Sequence, residues 1–281
     1  MPLVKMSPLL KKAREGGYAV GSFSVANMEM VLGVLKAVEE TKSPAIIQIA
    51  EVRLNHSPLE LIGPLMVAAA KNSSVPVAVH FDHGKTPEKI KQALDIGFTS
   101  VMLDGSHLPF EENVGITAEI KKLAAQYGAD CEGEIGCVGG SEDGSEDIAI
   151  NCTSPAQALE FYEKTGVDAL AVAIGNAHGN YKQAPKLRFD ILEQTASLVE
   201  SPLVLHGGTG ILPEGFKKCI KLGINKINIA TATFDSVEQS AREAYANGAI
   251  KGYYDLQTAE VEGAYRNALK HIDIFGCAGK A

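Results

Sequence analysis

The chain has 281 residues, 46% apolar and 21% charged, which is ordinary for a soluble globular enzyme with a large buried core. A net charge of −8 without any Lys/Arg run argues against nucleic acid as the main partner, whereas backbone amides can still bind a small phosphorylated ligand. Without a signal-like or ~20-residue apolar segment, and with five irregularly spaced cysteines, we expect a cytoplasmic protein with no membrane partner and no disulfide framework.

Eight short apolar segments alternate with longer amphipathic segments along the chain. Eight strands that alternate with helices over ~250 residues predict a (β/α)₈ TIM barrel, an α/β fold. The alternative is a doubly wound open sheet, but its first strand is usually followed by a Gly-rich turn, where this chain has SVANMEM. We expect one barrel domain over residues 1–281, with an extra helix after residue 250. The predicted strands are 18–24, 44–50, 75–81, 99–103, 130–135, 168–174, 202–206 and 224–230.

Polar side chains interrupt the apolar strands near the ends of six consecutive strands, the third to the eighth. In a TIM barrel the active site lies at the C-terminal ends of the strands, so these side chains are candidates for a common site. In chain order they are His80, Asp82, His83, Asp104, His107, Glu132, Glu134, His178, His206 and Asn228.

Three histidines, His83, His178 and His206, follow three different predicted strands at matching heights. Three imidazoles that leave one coordination position open are a common catalytic zinc arrangement, so this trio is predicted to bind a metal. Taken singly, His80 and His107 are instead predicted to be hydrogen-bonded core histidines. Cys131 is predicted to lie in the core of a strand.

A glycine-rich turn follows the seventh predicted strand, and a helix N-terminus follows the eighth. His206-Gly-Gly-Thr-Gly210 ends the seventh, and Asn228-Ile-Ala-Thr231 leads from the eighth into a helix N-terminus. A tight turn alone would explain such a run, but its position favours phosphate binding, which recurs after these two strands. The acidic stretch 136–152 is either a solvated loop or a mobile lid that carries a carboxylate, Glu142.

In FDHG (81–84), DGSHLPFEEN (104–113) and GNAHG (175–179) the chain resembles the class II fructose- and tagatose-bisphosphate aldolase family, and the match runs from YAVGSFSVANME to KINIAT. The resemblance implies a carbon–carbon lyase that reversibly cleaves a ketose 1,6-bisphosphate to dihydroxyacetone phosphate and an aldehyde through a zinc-bound enediolate. It also implies a monovalent cation, Na⁺ or K⁺, near the phosphate, and a homodimer or homotetramer.

The resemblance further implies roles for single residues. Zinc would be held by the three histidines, with Glu134 and Asp104 at an alternative or second metal position. Asp82 would exchange a proton with the oxygen at the bond that breaks, Glu142 would handle the proton on the enediolate carbon, and Asn228 would steady the enediolate. The predicted substrate-binding set is Gly179, Gly207, Gly208, Thr209, Asn228, Thr231, Ser24, Gln48 and Arg53.

The chain departs from the family pattern at several positions. Ser22-Phe23-Ser24 replaces AFN, HGGTG replaces HGASG with its hydroxyl preserved, and Ala230 replaces an Asp common in fructose-type members. Residues 250–254 lack the Arg that binds the distal phosphate in many members. Arg53 and His56 are either an alternative anion contact or ordinary surface residues. The sequence therefore leaves two alternatives for the part of the substrate that becomes the aldehyde. The substrate is either a ketose bisphosphate or a ketose 1-phosphate that ends in a sulfonate, carboxylate or deoxy-sugar tail.

Other classes fit less well. A metal-dependent barrel hydrolase commonly has an HxH pair on the first strand, which is absent here. A catalytically silent relative would have lost the acid–base set, but Asp82, Glu142 and Asn228 are present. Schiff-base aldolases need a lysine that faces into the barrel; no lysine ends a strand, and Lys226 lies early in the eighth.

Overall fold

The eight strands close into a parallel barrel in chain order, which confirms the predicted TIM barrel. The computed structural model describes residues 2–140, 150–179 and 185–281. The third strand runs three residues beyond its predicted end at 81, because the polar residues that end it still pair with its neighbours. The strands are β1 Val20–Ser24, β2 Ala45–Ala50, β3 Val77–Gly84, β4 Ser100–Leu103, β5 Asp130–Ile135, β6 Ala169–Val172, β7 Leu203–Leu205 and β8 Ile224–Ile229.

Helices follow the strands and cover the outside of the barrel. An additional N-terminal helix, α1, was not among the predicted elements; it buries Met6, Leu9, Leu10 and Ala13, the i, i+3, i+4, i+7 face of an amphipathic helix. The helices are α1 Met6–Gly16, α2 Met28–Glu40, α3 Leu59–Asn72, α4 Pro87–Ile96, α5 Phe110–Gln126, α6 Pro155–Thr165, α7 Phe189–Leu198, α8 Pro213–Lys221, α9 Thr231–Ala246 and α10 Tyr253–Phe275.

The predicted C-terminal helix is present as α10, which packs against α2 and α9. Glycines allow α10 to pack closely against both α2 and α9. A Cβ at Gly33 of α2 would lie 2.3 Å from the carbonyl oxygen of Val261, and one at Gly263 would lie 2.6 Å from that of Ser236. Among the described residues, no helix has the length and apolarity to cross a membrane.

The barrel strands carry a set of buried polar side chains, whereas bulky branched apolar residues usually fill the interior of such a barrel. Buried polar side chains need hydrogen-bond or ionic partners, so the side chains of this set fix one another's orientation. All are less than 1% exposed: Ser22, Gln48, His80, Ser100, Glu132 and Lys226.

Candidate active site

The end of β3 brings two adjacent residues, Asp82 and His83, to the same site. Side chains of a regular strand alternate between faces, so neighbours in sequence point apart. His83 breaks this rule because its backbone is left-handed, with φ of 42°, and the register with β4 shifts between Phe81 and Gly84. Both the carboxylate and the imidazole therefore reach the C-terminal mouth of the barrel.

Three histidines converge there from β3 and from the ends of β6 and β7. The ligand-type atoms of His83, His178 and His206 all lie within 4.8 Å of one another. Nε2 of His83 is 2.9 Å from Nδ1 of His206, and the ring of His178 lies 4.8 Å from that of His83. The three imidazoles thus point at one small volume, as the sequence predicted.

Carboxylates hold the far nitrogens of two of these rings. Nδ1 of His83 is 2.7 Å from Oδ2 of Asp104, and Nε2 of His206 is 2.8 Å from Oε1 of Glu132. Such an outer carboxylate keeps the N–H on its own side and turns the lone pair of the other nitrogen toward a metal. The nitrogens left to bind a metal are therefore Nε2 of His83 and Nδ1 of His206.

Glu134 adds an oxygen donor beside the histidines. Its Oε2 is buried, lies 3.3 Å from Nδ1 of His206 and accepts no hydrogen bond. Oxygens of Glu134 and Asp104 form a second group with His83 within 4.8 Å. A buried carboxylate oxygen without a donor, beside imidazole nitrogens, suits a cation, and this N/O set fits a zinc-type ion.

Burial and neighbouring charged groups shift the pKa values of three side chains at this site. Burial, followed by the charge of Asp104, raises the pKa of Glu134 to about 8. Burial acts in the same direction on Asp82, but the neighbouring His83 and His80 outweigh it and hold the pKa of Asp82 well below its usual range. Burial alone would lower the pKa of His83, but the carboxylates of Asp82 and Asp104 outweigh burial and raise this pKa well above its usual value. Asp82 is therefore ionised at neutral pH.

Asp82 is held by two side-chain amides. Nε2 of Gln48 donates to its Oδ2 at 2.8 Å, and Nδ2 of Asn228 donates to its Oδ1 at 3.1 Å. Nε2 of Gln48 also lies 3.1 Å from Oγ of Ser24, while its Oε1 accepts from the hydroxyl of Ser22. Ser24 and Gln48, predicted to contact substrate, thus lie beside Asp82, and Gln48 is fully buried.

The loop after β7 and the first turn of α9 form a cradle of backbone amides. Oγ1 of Thr209 accepts from the amide of Ala232, which fastens the loop to the helix that begins at Thr231. Gly207 has φ of 59°, and a Cβ there would lie 2.1 Å from the carbonyl oxygen of Ala177, so only glycine fits. Helix N-termini are favourable phosphate-binding sites because their first backbone N–H groups and the helix dipole face the anion. Gly208 follows Gly207 in the loop after β7, and Gly179 follows His178 in the loop after β6.

Arg53 lies at the same end of the barrel. It ends the short 3₁₀ turn Glu51–Arg53 after β2, and its guanidinium lies 4.9 Å from the centre of the Phe234 ring in the first turn of α9. His56, its predicted companion, is exposed.

Of the three residues that the sequence placed in the core, two are buried and one is exposed. His80 is a core histidine, with Nδ1 2.9 Å from Oγ of Ser100, and Cys131 is buried in β5, as predicted. The prediction that His107 lies in the core is wrong: residues 105–108 form a surface turn after β4 and expose it.

Glu142 lies outside the described residues. The described start of its segment lies against a predicted metal ligand, because the carbonyl of Gly139 accepts from the amide of His178 at 2.7 Å.

Lys226 was missed as a site residue. It is fully buried in β8, with Nζ 2.9 Å from Oε2 of Glu132 and 2.8 Å from Oδ1 of Asn228. Its placement two residues before Asn228 was the available signal, because strand positions i and i+2 share a face. Lys226 does face into the barrel, but an ion-paired ammonium is no free amine nucleophile.

Comparison with known proteins adds to this geometry. The family model described as "Fructose-bisphosphate aldolase class-II" matches residues 4–280. The chain is 40% identical to a fructose-bisphosphate aldolase of Geobacillus stearothermophilus, over 100% of this chain and 99% of that protein. It is 39% identical to a fructose-bisphosphate aldolase of Staphylococcus epidermidis over 100% of both chains. The crystal structure of the YdjI aldolase from Escherichia coli K12 matches with a TM-score of 0.88 and 35% identity, over 99% of each chain.

Proposed function

The chain belongs to the class II fructose-bisphosphate aldolase family, a family of metal-dependent carbon–carbon lyases, and on this premise we propose its substrate and chemistry. It reversibly cleaves a ketose 1,6-bisphosphate of the fructose or tagatose type to dihydroxyacetone phosphate and an aldehyde. The observation that carries the proposal is the convergence of three histidines beside the doubly held Asp82.

The proposed cofactor is Zn²⁺, held by His83, His178 and His206, with Glu134 and Asp104 able to supply an alternative position. When bound, the metal acts as a Lewis acid toward the carbonyl and hydroxyl oxygens of the ketose. A monovalent cation, Na⁺ or K⁺, is proposed near the substrate phosphate, and the proposed assembly is a homodimer or homotetramer.

Asp82 begins the proposed cleavage. Its ionised carboxylate takes the proton of the C4 hydroxyl as the C3–C4 bond breaks, so C4 leaves as the aldehyde carbon and the bonding electrons remain with the C3 fragment. The fragment is the enediolate of dihydroxyacetone phosphate, and the amide N–H of Asn228 donates to its oxygen. Glu142 then delivers a proton to C3. The contact between Gly139, three residues before Glu142, and His178 supports this role.

The cradle formed by Gly179, residues 207–209 and Thr231 is proposed to hold the phosphate of the dihydroxyacetone-phosphate half. Backbone amides and the α9 N-terminus supply this binding without a basic side chain, which is compatible with the acidic composition.

A second substrate class, a ketose 1-phosphate with a non-phosphate distal group, is favoured by a separate observation. Residues 250–254 contain no Arg, while Arg53 lies against Phe234 at the mouth of the barrel. A sulfonate or carboxylate tail would find a guanidinium there, and a deoxy-sugar tail would need no charge.

The test is release of dihydroxyacetone phosphate from purified ketose phosphates, with and without a chelator. The panel contains fructose and tagatose bisphosphates, their 1-phosphates, and 1-phosphates with a sulfonate, carboxylate or deoxy tail. Chelator-sensitive release from a bisphosphate supports the first substrate class. Release only from substrates without a distal phosphate supports the second, and no release from any member contradicts the proposed function.

A further inference from the structure

We infer that Lys226 is a positioning residue that fixes which atom of the Asn228 amide faces the substrate. The inference rests on the proposed function, because it concerns the N–H that would stabilise the enediolate. The family resemblance assigned no role to Lys226.

The contacts of Lys226 join two parts of the site. Its side chain is fully buried, and Nζ lies 2.8 Å from Oδ1 of Asn228 and 2.9 Å from Oε2 of Glu132. The other oxygen of Glu132 bonds Nε2 of His206. A continuous path of polar contacts therefore runs from a predicted metal ligand through Glu132 and Lys226 to Asn228, and on to Asp82.

The chemistry of the ammonium determines the orientation of the amide. An ammonium donates hydrogen bonds and accepts none, so the atom of Asn228 that faces Lys226 must be the carbonyl oxygen. The NH₂ group is thereby turned the other way, where it donates to Asp82 at 3.1 Å and faces the mouth of the barrel. With a neutral side chain at position 226, Asp82 would be the only charged group among these contacts that distinguishes the two ends of the amide.

Asp82 cannot maintain this orientation through the whole reaction. As a carboxylate it also favours the NH₂ group on its side. In the proposed cleavage, however, Asp82 gains a proton while the enediolate charge develops, so its attraction for a donor weakens. Lys226 does not change during this step. Its contact keeps an N–H aimed at the developing negative charge, and a fixed donor of this kind needs no reorganisation.

The decisive variant removes the buried ion pair as a unit, by Lys226→Met together with Glu132→Gln, because one charge left alone would destabilise the core. The Gln keeps an oxygen that can accept from His206. The matched control is Lys121→Met with Asp168→Asn, which removes a 2.5 Å ion pair at the opposite end of the barrel. Metal affinity of each apoprotein is measured by chelator competition, and activity is measured at saturating metal.

We expect the paired variant to lose about 10- to 100-fold in kcat with little change in KM, while the control pair leaves both unchanged. Affinity for a hydroxamate that mimics the enediolate should fall by a similar factor. Adding Asn228→Ala to the paired variant should cost little more, because the two changes remove the same stabilisation. A kcat within twofold of the parent, or a full additional loss from Asn228→Ala, would overturn the inference.

Neutron diffraction from deuterium-exchanged crystals of the unaltered protein keeps the inference testable even if the paired variant does not fold. Deuterium on the amide atom that faces Asp82, and none on the atom that faces Lys226, is the expected result; the reverse would refute it. Failure of the proposed function is a separate outcome, because then the parent protein itself would release no dihydroxyacetone phosphate from the panel.

Discussion

The side-chain amide of Gln48 donates a 2.8 Å hydrogen bond to Oδ2 of Asp82. The opposite end of the same amide accepts from Ser22, so Gln48 cannot turn over without losing both contacts. The carboxylate of Asp82, to which we assign the proposed proton transfer, is therefore held in place by a residue on the neighbouring strand β2.

Replacement of Gln48 by Glu is expected to shift the acid limb of the kcat/KM profile to higher pH. The parent site holds the pKa of Asp82 well below its usual range. A second carboxylate at hydrogen-bond distance disfavours the charged form of Asp82, so its pKa must rise. The measurement is the pH profile of cleavage. Gln239→Glu on the exposed part of α9 is the control, and an unmoved acid limb in Gln48→Glu would disprove the coupling.

Replacement of Asp82 by Ala is expected to lower kcat by about 10² to 10⁴, the usual contribution of a general acid–base group. Zinc and substrate should still bind, because the three histidines are untouched. Metal content and a binding titration on the same preparation check this. Retained turnover would remove Asp82 from the mechanism.

Replacement of His83, His178 or His206 by Ala is expected to weaken zinc binding at least about 100-fold, because each removes one of three predicted ligands. Chelator competition on the apoproteins measures the affinity. His107→Ala is a matched control, since this histidine lies on an exposed turn of the same end of the barrel. Equal affinity in all four variants would mean that the trio is not the metal site.

Replacement of Arg53 by Ala is expected to raise KM about tenfold for substrates with an anionic distal group. It should leave KM for dihydroxyacetone phosphate in the synthesis direction unchanged, because the proposed cradle binds that half through backbone amides and not through the guanidinium of Arg53. Arg14→Ala, at the other end of the barrel in α1, controls for the lost charge. An unchanged KM for every anionic tail would sink the assignment of Arg53.

His271 in α10 is expected to make stability depend on pH. Burial lowers its pKa from 6.5 to about 4, so the folded protein favours the neutral ring. Between these values the unfolded chain binds more protons, and the free energy of unfolding therefore falls as pH falls through this range, by at most about 3 kcal/mol. His271→Leu should flatten this part of the curve in chemical denaturation. An identical slope in the variant and the parent would exclude His271 as the cause.

The sequence predicted the barrel because its strand and helix periods are regular, and it predicted the convergence of His83, His178 and His206 because parallel strands end at one mouth. It did not predict that His83 leaves the strand alternation, since that depends on a local register shift with β4. Lys226 was hidden for another reason. A lysine inside an apolar strand is costly unless paired, and its partner Glu132 is 94 residues away in the chain. Only the closed barrel shows the pair.

The left-handed backbone at His83 sets two selective pressures against each other at a single position. A residue with a Cβ loses on the order of 1 kcal/mol in this conformation, whereas glycine adopts it freely. The fold alone would gain from glycine at residue 83, but glycine has no nitrogen to offer a metal. A descendant that no longer needed the proposed metal ligand would therefore gain stability by replacing this histidine with glycine.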